Sequence, residues 1–177
     1  MVITLTGFMG CGKSSVGKAL AERLGWEFVD LDAYIEHKKG MSVADIFTNE
    51  GEEAFRALEA ECLRDVIVMR QIAGGDVILA LGGGTMTITS VQWLIREQTE
   101  CFWLKASLET CLGRIGDDRS DRPLLGTSIT SGAPADKLEL LFKEREKYYS
   151  LAAHYIDTEG KTIEETVEDI LAYRTVI

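Results

Sequence analysis

Residues 2–20 read VITLTGFMGCGKSSVGKAL, and this stretch decides the fold class of the chain. Its residues 7–14 match the pattern G-x-x-x-x-G-K-[ST] at every fixed position. The apolar run before the glycines predicts a short buried strand, and residues 13–24 repeat apolar side chains at helical spacing. A glycine-rich loop between a strand and a helix directs backbone N–H groups at a phosphate, backed by the positive helix end. The stretch therefore predicts a P-loop that binds a nucleoside triphosphate, and it leaves the phosphate acceptor open.

The side chains of this loop have separate expected roles. Lys13 is expected to reach the β- and γ-phosphates of ATP and to act in catalysis, and the Ser14 hydroxyl is expected to ligate Mg²⁺. Further ATP contacts are expected from the rest of the loop, at Gly10, Cys11, Gly12 and Ser15. Cys11 is expected to contribute its backbone and to be chemically inert.

Downstream of the loop, strands and helices alternate with no repeat and no linker. The later strands are predicted at residues 27–32, 76–81, 101–106 and 154–158. This alternation predicts an α/β fold with three layers, in which helices flank a five-stranded parallel sheet, and a single domain over residues 1–177. In such sheets ligands bind beyond the carboxyl ends of the strands, so the residues after each strand are the candidate site.

Composition excludes several classes of partner. The formal net charge is −10, which argues against nucleic acid and against an anionic membrane surface. No apolar stretch approaches the roughly 20 residues that span a bilayer, and no signal peptide is recognisable. The four cysteines lack C-x-x-C pairing and are expected to be thiols in a reducing compartment, so we expect a cytoplasmic protein. No long apolar helix face is left over, and we expect a monomer.

An acidic partner for the metal is expected from the sequence FVDLD, residues 28–32. No N-K-x-D guanine motif occurs, and the strand at 76–81 runs into glycines instead of a single aspartate. If 27–32 is a strand, Asp30 and Asp32 lie on the same side of it, suited to position a metal and to orient a hydroxyl. Alternatively, Asp32 caps a helix and Asp30 is merely solvated.

Three further features each allow two interpretations. Arg56 and Glu59 are i,i+3 on a predicted helix, which lets the glutamate fix the guanidinium, although such pairs are often weak surface contacts. Gly82, Gly83 and Gly84 allow close approach of a ligand to the backbone, or form a simple turn. Arg145 is either a ligand contact or one more charge on a solvated helix face.

Residues 116–134 have no clear periodicity, which is unusual inside a compact domain and typical of lids and binding loops. We therefore expect a lid over about residues 114–134. It contains Arg119 and Arg122, which its closure would bring to the phosphates of ATP while excluding water.

The downstream motifs together resemble the shikimate kinase family. They occur in the order D-x-D, I-E-x-x-x-G-x-S, I-F-x-x-x-G-E-x-x-F-R-x-x-E, G-G-G and R-P-L-L, at residues 30–32, 35–42, 46–59, 82–84 and 122–125. The resemblance covers nearly the whole chain. It implies a P-loop kinase fold like that of the nucleoside monophosphate kinases, with a substrate-binding helical segment at about residues 32–60. It also implies transfer of the ATP γ-phosphate to the 3-hydroxyl of shikimate, in chorismate and aromatic amino-acid biosynthesis.

The same resemblance assigns roles at the acceptor. By it, Asp32 holds and helps activate a ring hydroxyl of shikimate, and Asp30 assists Mg²⁺ through water. Arg56 binds the shikimate carboxylate with Glu59 as its partner, Arg145 makes the second carboxylate contact, and Gly82–Gly84 let backbone N–H groups approach the substrate.

At the nucleotide, the resemblance assigns Arg122 to the lid arginine that reaches the ATP phosphates and Arg114 to the residue that flanks adenine. The segment DTEGKTIEE, residues 157–165, lacks the proline that often packs on adenine in the family. The basic residues are thus expected to converge on two anionic ligands in an otherwise acidic protein: Lys13, Arg56, Arg114, Arg119, Arg122 and Arg145.

Two other functions stay open. A kinase of another small hydroxy acid such as gluconate would share the P-loop, but would not be expected to combine D-x-D, F-R-x-x-E and G-G-G. A catalytically silent nucleotide-binding regulator would be expected to have lost Lys13, Ser14 or Asp32, and all three are present.

Overall fold

A single five-stranded sheet organises the computed structural model, which describes residues 1–115 and 135–175. The strands are β1 (Val2–Thr6), β2 (Glu27–Asp30), β3 (Val77–Ala80), β4 (Glu100–Lys105) and β5 (His154–Asp157). They pair in the order β2-β3-β1-β4-β5, and every pairing is parallel. The predicted α/β fold with a five-stranded parallel sheet is confirmed.

Helices connect and cover the strands. They are α1 (Lys13–Leu24), α2 (Leu31–Lys39), α3 (Val43–Ala73), α4 (Thr89–Gln98), α5 (Leu108–Ile115), α6 (Ala135–Tyr149) and α7 (Ile163–Thr175), with a 3₁₀ turn at Thr85–Thr87. Helix α1 packs against α7, and α3 packs against α2 and α4. Among the described residues, no helix combines the length and the apolar character that crossing a membrane requires.

The two central strands carry the core. All residues of β1 and β3 are buried, whereas β2 and β5 at the edges are partly exposed. Strands covered on both faces are apolar throughout, as VITLT and VILA are. Strands β1, β2 and β3 are parallel, so the chain segments that follow them all begin at the same edge of the sheet.

The chain leaves β2 earlier than the sequence predicted. Strand β2 ends at Asp30, whose carboxylate accepts hydrogen bonds from the backbone N–H groups of Asp32 (3.1 Å) and Ala33 (3.4 Å). Asp30 is therefore the N-cap of α2, and Asp32 lies in the first helical turn. The expectation that both aspartates alternate along one strand is wrong, as is the alternative that Asp32 is the cap. An aspartate at this position satisfies N–H groups that a helix start leaves unpaired, so the helix begins at the fully buried Leu31.

Helix α3 consists of two segments. They lie on either side of a break at Gly51, within Val43–Ala73. Gly51 has φ 84° and ψ 171°, a conformation that only glycine adopts without strain. Glu52 therefore begins the second segment of the helix.

Candidate active site

A cavity of about 760 Å³ opens at the edge of the sheet where β1, β2 and β3 end. It brings together four of the six basic residues that the sequence expected to converge: Lys13, Arg56, Arg114 and Arg145. Arg119 and Arg122 lie outside the described residues, as does the predicted lid apart from its first two residues, 114 and 115. The predicted acceptor residues Asp32, Glu59 and Gly82–Gly84 line the same cavity.

The loop after β1 forms the floor of this cavity. Its residues Gly10, Cys11, Gly12, Lys13, Ser14 and Ser15 all contribute to the lining. Gly10 and Gly12 have φ angles of 80° and 105°, which curl the backbone in a way that other residues rarely adopt. The Lys13 ammonium donates to the carbonyl oxygens of Gly7 (2.9 Å) and Phe8 (3.0 Å). The loop is thus folded around its own lysine, at the start of α1.

Ser14 and Asp30, which the sequence predicted to hold Mg²⁺, are in direct contact. The Ser14 hydroxyl donates a hydrogen bond of 2.6 Å to Asp30 Oδ2. Within the described ranges, no group of three or more histidine, cysteine, aspartate or glutamate side chains could hold a metal ion. Mg²⁺ needs no such cage, because it keeps several waters and is bound through one or two protein oxygens together with substrate phosphates. The hydroxyl and the carboxylate therefore fit Mg²⁺.

Asp32 lies beside two other carboxylates. The pKa of Asp32 is raised from its ordinary value of 3.8 to about 6, first by burial and then by the charges of Glu59 and Asp30, against a smaller opposing effect of Lys13 and Arg56. A Cβ atom at Gly82 would lie 2.6 Å from Glu59 Oε1 and 2.9 Å from Asp32 Oδ1. Gly82 is thus required for these carboxylates to approach the end of β3. A carboxylate with a pKa close to neutrality is suited to accept a proton from a hydroxyl.

Arg56 is held by a buried ion pair. Its Nη1 lies 2.6 Å from Oε2 of Glu59, a residue with no exposed surface, and the Thr85 hydroxyl donates to the other oxygen of that carboxylate. A Cβ atom at Gly84 would lie 2.6 Å from the Arg56 Cζ, so the guanidinium rests directly on the backbone of Gly84. The alternative of a weak surface pair therefore does not hold, because the buried Glu59 carboxylate holds the Arg56 guanidinium in place.

Arg145 reaches the neighbouring glycine from α6. Only 5 % of Arg145 is exposed, so the alternative of a solvated helix-face charge does not hold. A Cβ atom at Gly83 would lie 3.5 Å from its Nη1. One helical turn later, the Tyr149 hydroxyl donates to the Gly83 carbonyl oxygen at 2.6 Å, and burial raises the pKa of Tyr149. The guanidinium groups of Arg56 and Arg145 thus lie against adjacent glycines, and guanidinium N–H groups are donors of the kind that carboxylates accept from.

Arg114 lies at the other end of the cavity. It donates from Nη1 to the Cys11 carbonyl oxygen (3.2 Å) and to Thr158 Oγ1 (3.1 Å), and from Nη2 to the Thr158 carbonyl oxygen (2.7 Å). It therefore joins the phosphate loop to the segment after β5. In that segment Ile163 is 41 % exposed and lines the cavity.

Sequence reasoning missed Thr85, Tyr149 and Thr158. Each of them acts through a contact with a residue distant in the sequence, to Glu59, Gly83 and Arg114 respectively. Two of them had a local signal: Thr85 directly follows the glycine run, and Tyr149 is i+4 from Arg145 on the same helix. Thr158 had none beyond its position after a strand.

Comparison with known proteins gives a consistent result. A family model described as shikimate kinase matches residues 9–174. A shikimate kinase from Geobacter sulfurreducens is 42% identical over 171 residues, which cover 97% of this chain and 89% of that protein. Another, from Moorella thermoacetica, is 40% identical over 168 residues, covering 95% of this chain and 91% of its own length. Among solved structures, the shikimate kinase from Acinetobacter baumannii in complex with shikimate has a TM-score of 0.87 at 32% identity, covering 99% of this chain and 93% of the other.

Proposed function

The chain belongs to the shikimate kinase family, and we propose that it transfers the γ-phosphate of ATP to the 3-hydroxyl of shikimate, giving shikimate 3-phosphate and ADP. The observation that carries this proposal is the pair of arginines on adjacent glycines, beside Asp32 and in the same cavity as the P-loop. An acceptor with one carboxylate and a hydroxyl fits that arrangement. The product would serve chorismate and aromatic amino-acid biosynthesis.

Arg56 and Arg145 bind the carboxylate of shikimate in this proposal. Glu59 and Thr85 hold Arg56, and the Tyr149 hydroxyl holds the Gly83 carbonyl in the turn on which both guanidinium groups rest. Because these supports are buried, the arginines are ordered before the substrate arrives, and little side-chain entropy is lost on binding. Backbone N–H groups of Gly82–Gly84 face the acceptor at close range.

Asp32 receives or orients the proton of the attacking hydroxyl. Its raised pKa, about 6, leaves it ionised at neutral pH yet basic enough to accept a proton as the new bond to phosphorus forms. Lys13 contacts the β- and γ-phosphates and neutralises the charge that develops on the transferred group. Arg122, outside the described residues, is proposed to add a second positive charge there. Catalysis is then mainly positioning and charge stabilisation.

Ser14 would hold Mg²⁺ through its hydroxyl, and Asp30 would hold it through water. When bound, Mg²⁺ neutralises charge on the β- and γ-phosphates of ATP. The hydrogen bond between the two side chains keeps both oxygens at the start of α1, next to the phosphate loop.

The rest of the nucleotide lies toward Arg114 in this proposal, and Arg119, outside the described residues, is proposed as a further ATP contact. Arg114 flanks adenine on one side, and the exposed Ile163 replaces the absent proline as the apolar contact on the other.

We further propose one kinase domain over residues 1–177, with the acceptor segment at about 32–60 and the lid at about 114–134. All four cysteines are buried free thiols, which supports a reducing compartment such as the cytoplasm. A monomer is proposed, to be tested by light scattering.

Following ADP release with Mg-ATP tests the function directly. Shikimate is expected to support turnover, and quinate, gluconate and nucleoside monophosphates are expected to give little or none. Turnover on gluconate but not on shikimate would establish a different acceptor. Binding of ATP with no turnover on any of these compounds would favour the silent regulator, although Lys13, Ser14 and Asp32 all line the cavity.

A further inference from the structure

Arg56 and Arg145 border two cavities. Besides the large one, both line a smaller cleft of about 200 Å³, between the second segment of α3 and α6. Two glutamates, Glu52 and Glu144, line this cleft as well. Arg56 and Arg145 thus border acidic side chains as well as the large cavity, and Glu52 contacts Arg56 directly.

The two carboxylates on Arg56 differ in burial and in distance. Glu59 is fully buried and lies 2.6 Å from Nη1, whereas the Glu52 side chain is 61% exposed and lies 3.4 Å from Nη2. Glu59 has a second partner in Thr85, and no second hydrogen bond of Glu52 is found among the described residues. Exposed i,i+4 ion pairs contribute little, so Glu52 is held weakly where Glu59 is held firmly.

Counting charges shows why Glu52 matters for an anionic ligand. Arg56 and Arg145 carry two positive charges, which the two carboxylates on Arg56, Glu52 and Glu59, already balance, and Glu144 adds a further negative charge at the cleft. A ligand carboxylate added to this group would increase the excess negative charge beside Asp32. If Glu52 moves away into solvent, the ligand takes its place and the total charge is unchanged.

From these contacts we infer that Glu52 is a resident ligand of Arg56, which the carboxylate of the acceptor displaces on binding, so that Glu52 sets the acceptor affinity. The inference rests on the proposed function, because it takes the acceptor to be a carboxylate that binds Arg56. Glu52 makes no contact with the reacting atoms, so it is expected to affect the binding of the acceptor and not the chemical step.

The local structure makes the displaced position accessible. Glu52 follows the break at Gly51 and is the first residue of the second segment of α3. A carboxylate in the first turn of a helix is favoured by the helix dipole wherever its side chain points. Replacing the contact between Glu52 and Arg56 by water therefore costs little free energy, namely that of the weak ion pair.

Calorimetric titration of the full chain with shikimate tests this inference. Glu52→Gln is expected to lower the shikimate Kd by about two- to fivefold, the range that an exposed ion pair corresponds to. Glu53→Gln is the matched control, since it removes the same charge from the adjacent exposed position, which has no ion pair or hydrogen bond in the part of the chain that the structure describes. Its shikimate Kd is expected to equal that of the parent, and the ATP Kd is expected to stay constant in both variants.

Glu52→Asp separates direct contact from charge. It keeps the charge but shortens the side chain, so it is expected to resemble Glu52→Gln if the contact with Arg56 matters. A parent-like Glu52→Asp beside a tighter Glu52→Gln would mean that only long-range charge acts, and would overturn the inference. Weaker binding by Glu52→Gln would also overturn it, because Glu52 would then orient Arg56 for the ligand.

The failure of the inference and that of the proposed function are distinguishable. If the parent binds and phosphorylates shikimate while Glu52→Gln behaves like Glu53→Gln, only the inference fails. If the parent neither binds nor phosphorylates shikimate, the proposed function fails and the inference fails with it.

Discussion

At the scale of single residues, the site depends on how each side chain is surrounded. Asp32 and Glu59 are both carboxylates on the same cavity, yet Glu59 is fully buried and paired with Arg56 and Thr85, whereas at Asp32 burial and the repulsion of Glu59 and Asp30 outweigh the attraction of Lys13 and Arg56. The first arrangement fixes a charge in place. The second raises the pKa of Asp32 to about 6 and leaves its oxygens available to a ligand.

Replacing Asp32 separates catalysis from nucleotide binding. Asp32→Asn is expected to reduce kcat by about 10²–10⁴-fold, the usual contribution of a general base, while the ATP Kd changes little. ADP release and calorimetry with ATP measure the two quantities. Equal losses in both would mean that Asp32 acts on the metal or on the fold and not on the acceptor.

Replacing Arg145 tests the acceptor end. Arg145→Ala is expected to raise the shikimate KM at least tenfold and the ATP KM far less, because the guanidinium lies against Gly83, in the turn proposed to hold the acceptor. Lys143→Ala is the control, since Lys143 lies on the same helix with 66% of its side chain exposed. Parallel increases in both KM values would contradict the role proposed for Arg145.

At the scale of elements, the sequence predicted strands and helices well because their patterns are local. The end of β2 was mispredicted because alternation along a strand and capping of a helix compete for the same residues, and only the burial of Leu31 decides between them. Arg56 was expected to pair with Glu59 from i,i+3 spacing. That Glu59 has no exposed surface and that Thr85 completes the pair depend on packing between α3 and the turn after β3, which no local pattern encodes.

The turn after β3 gives a test of its own. Gly84→Ala is expected to raise the shikimate KM about tenfold and to lower thermal stability as well, because the new methyl group displaces the Arg56 guanidinium from the buried Glu59 carboxylate. The ATP KM is expected to stay constant. Gly113→Ala in α5 is the control, since no atom lies within 4 Å of the added methyl group. A loss of stability with an unchanged shikimate KM in Gly84→Ala would show that this turn serves folding and not acceptor binding.

At the scale of the whole molecule, charge is distributed unevenly. The chain has a formal net charge of −10, yet one cavity holds Lys13, Arg56, Arg114 and Arg145. Despite these cations, burial and the carboxylates of Glu59 and Asp30 raise the pKa of Asp32, so the folded protein is less stable when it holds Asp32 ionised at neutral pH.

Stability is expected to change with pH in a direction that follows from this pKa. Between the ordinary value of 3.8 and the folded value of about 6, the folded protein keeps a proton on Asp32 that the unfolded chain has released. The contribution of Asp32 to the free energy of unfolding therefore falls as pH rises through this window and stays low above it. Asp32→Asn is expected to be more stable than the parent at pH 7.5, with a smaller difference at pH 4.5. Urea unfolding at both pH values measures this, and a variant less stable than the parent at pH 7.5 would contradict it.

The run Gly82-Gly83-Gly84 also bears on how homologous chains diverge. The Cβ atom of an alanine at position 83 would lie 3.5 Å and 3.7 Å from its nearest atoms, which are ordinary contact distances. An alanine there would therefore narrow the acceptor cavity without displacing a neighbour. A side chain at position 82 would collide with Glu59 and Asp32, and one at position 84 with Arg56. Homologues that lack the glycine at 82 or 84 are therefore expected to carry compensating substitutions at 32, 56 or 59. A substitution of the glycine at 83 by alanine is expected to need no such compensation.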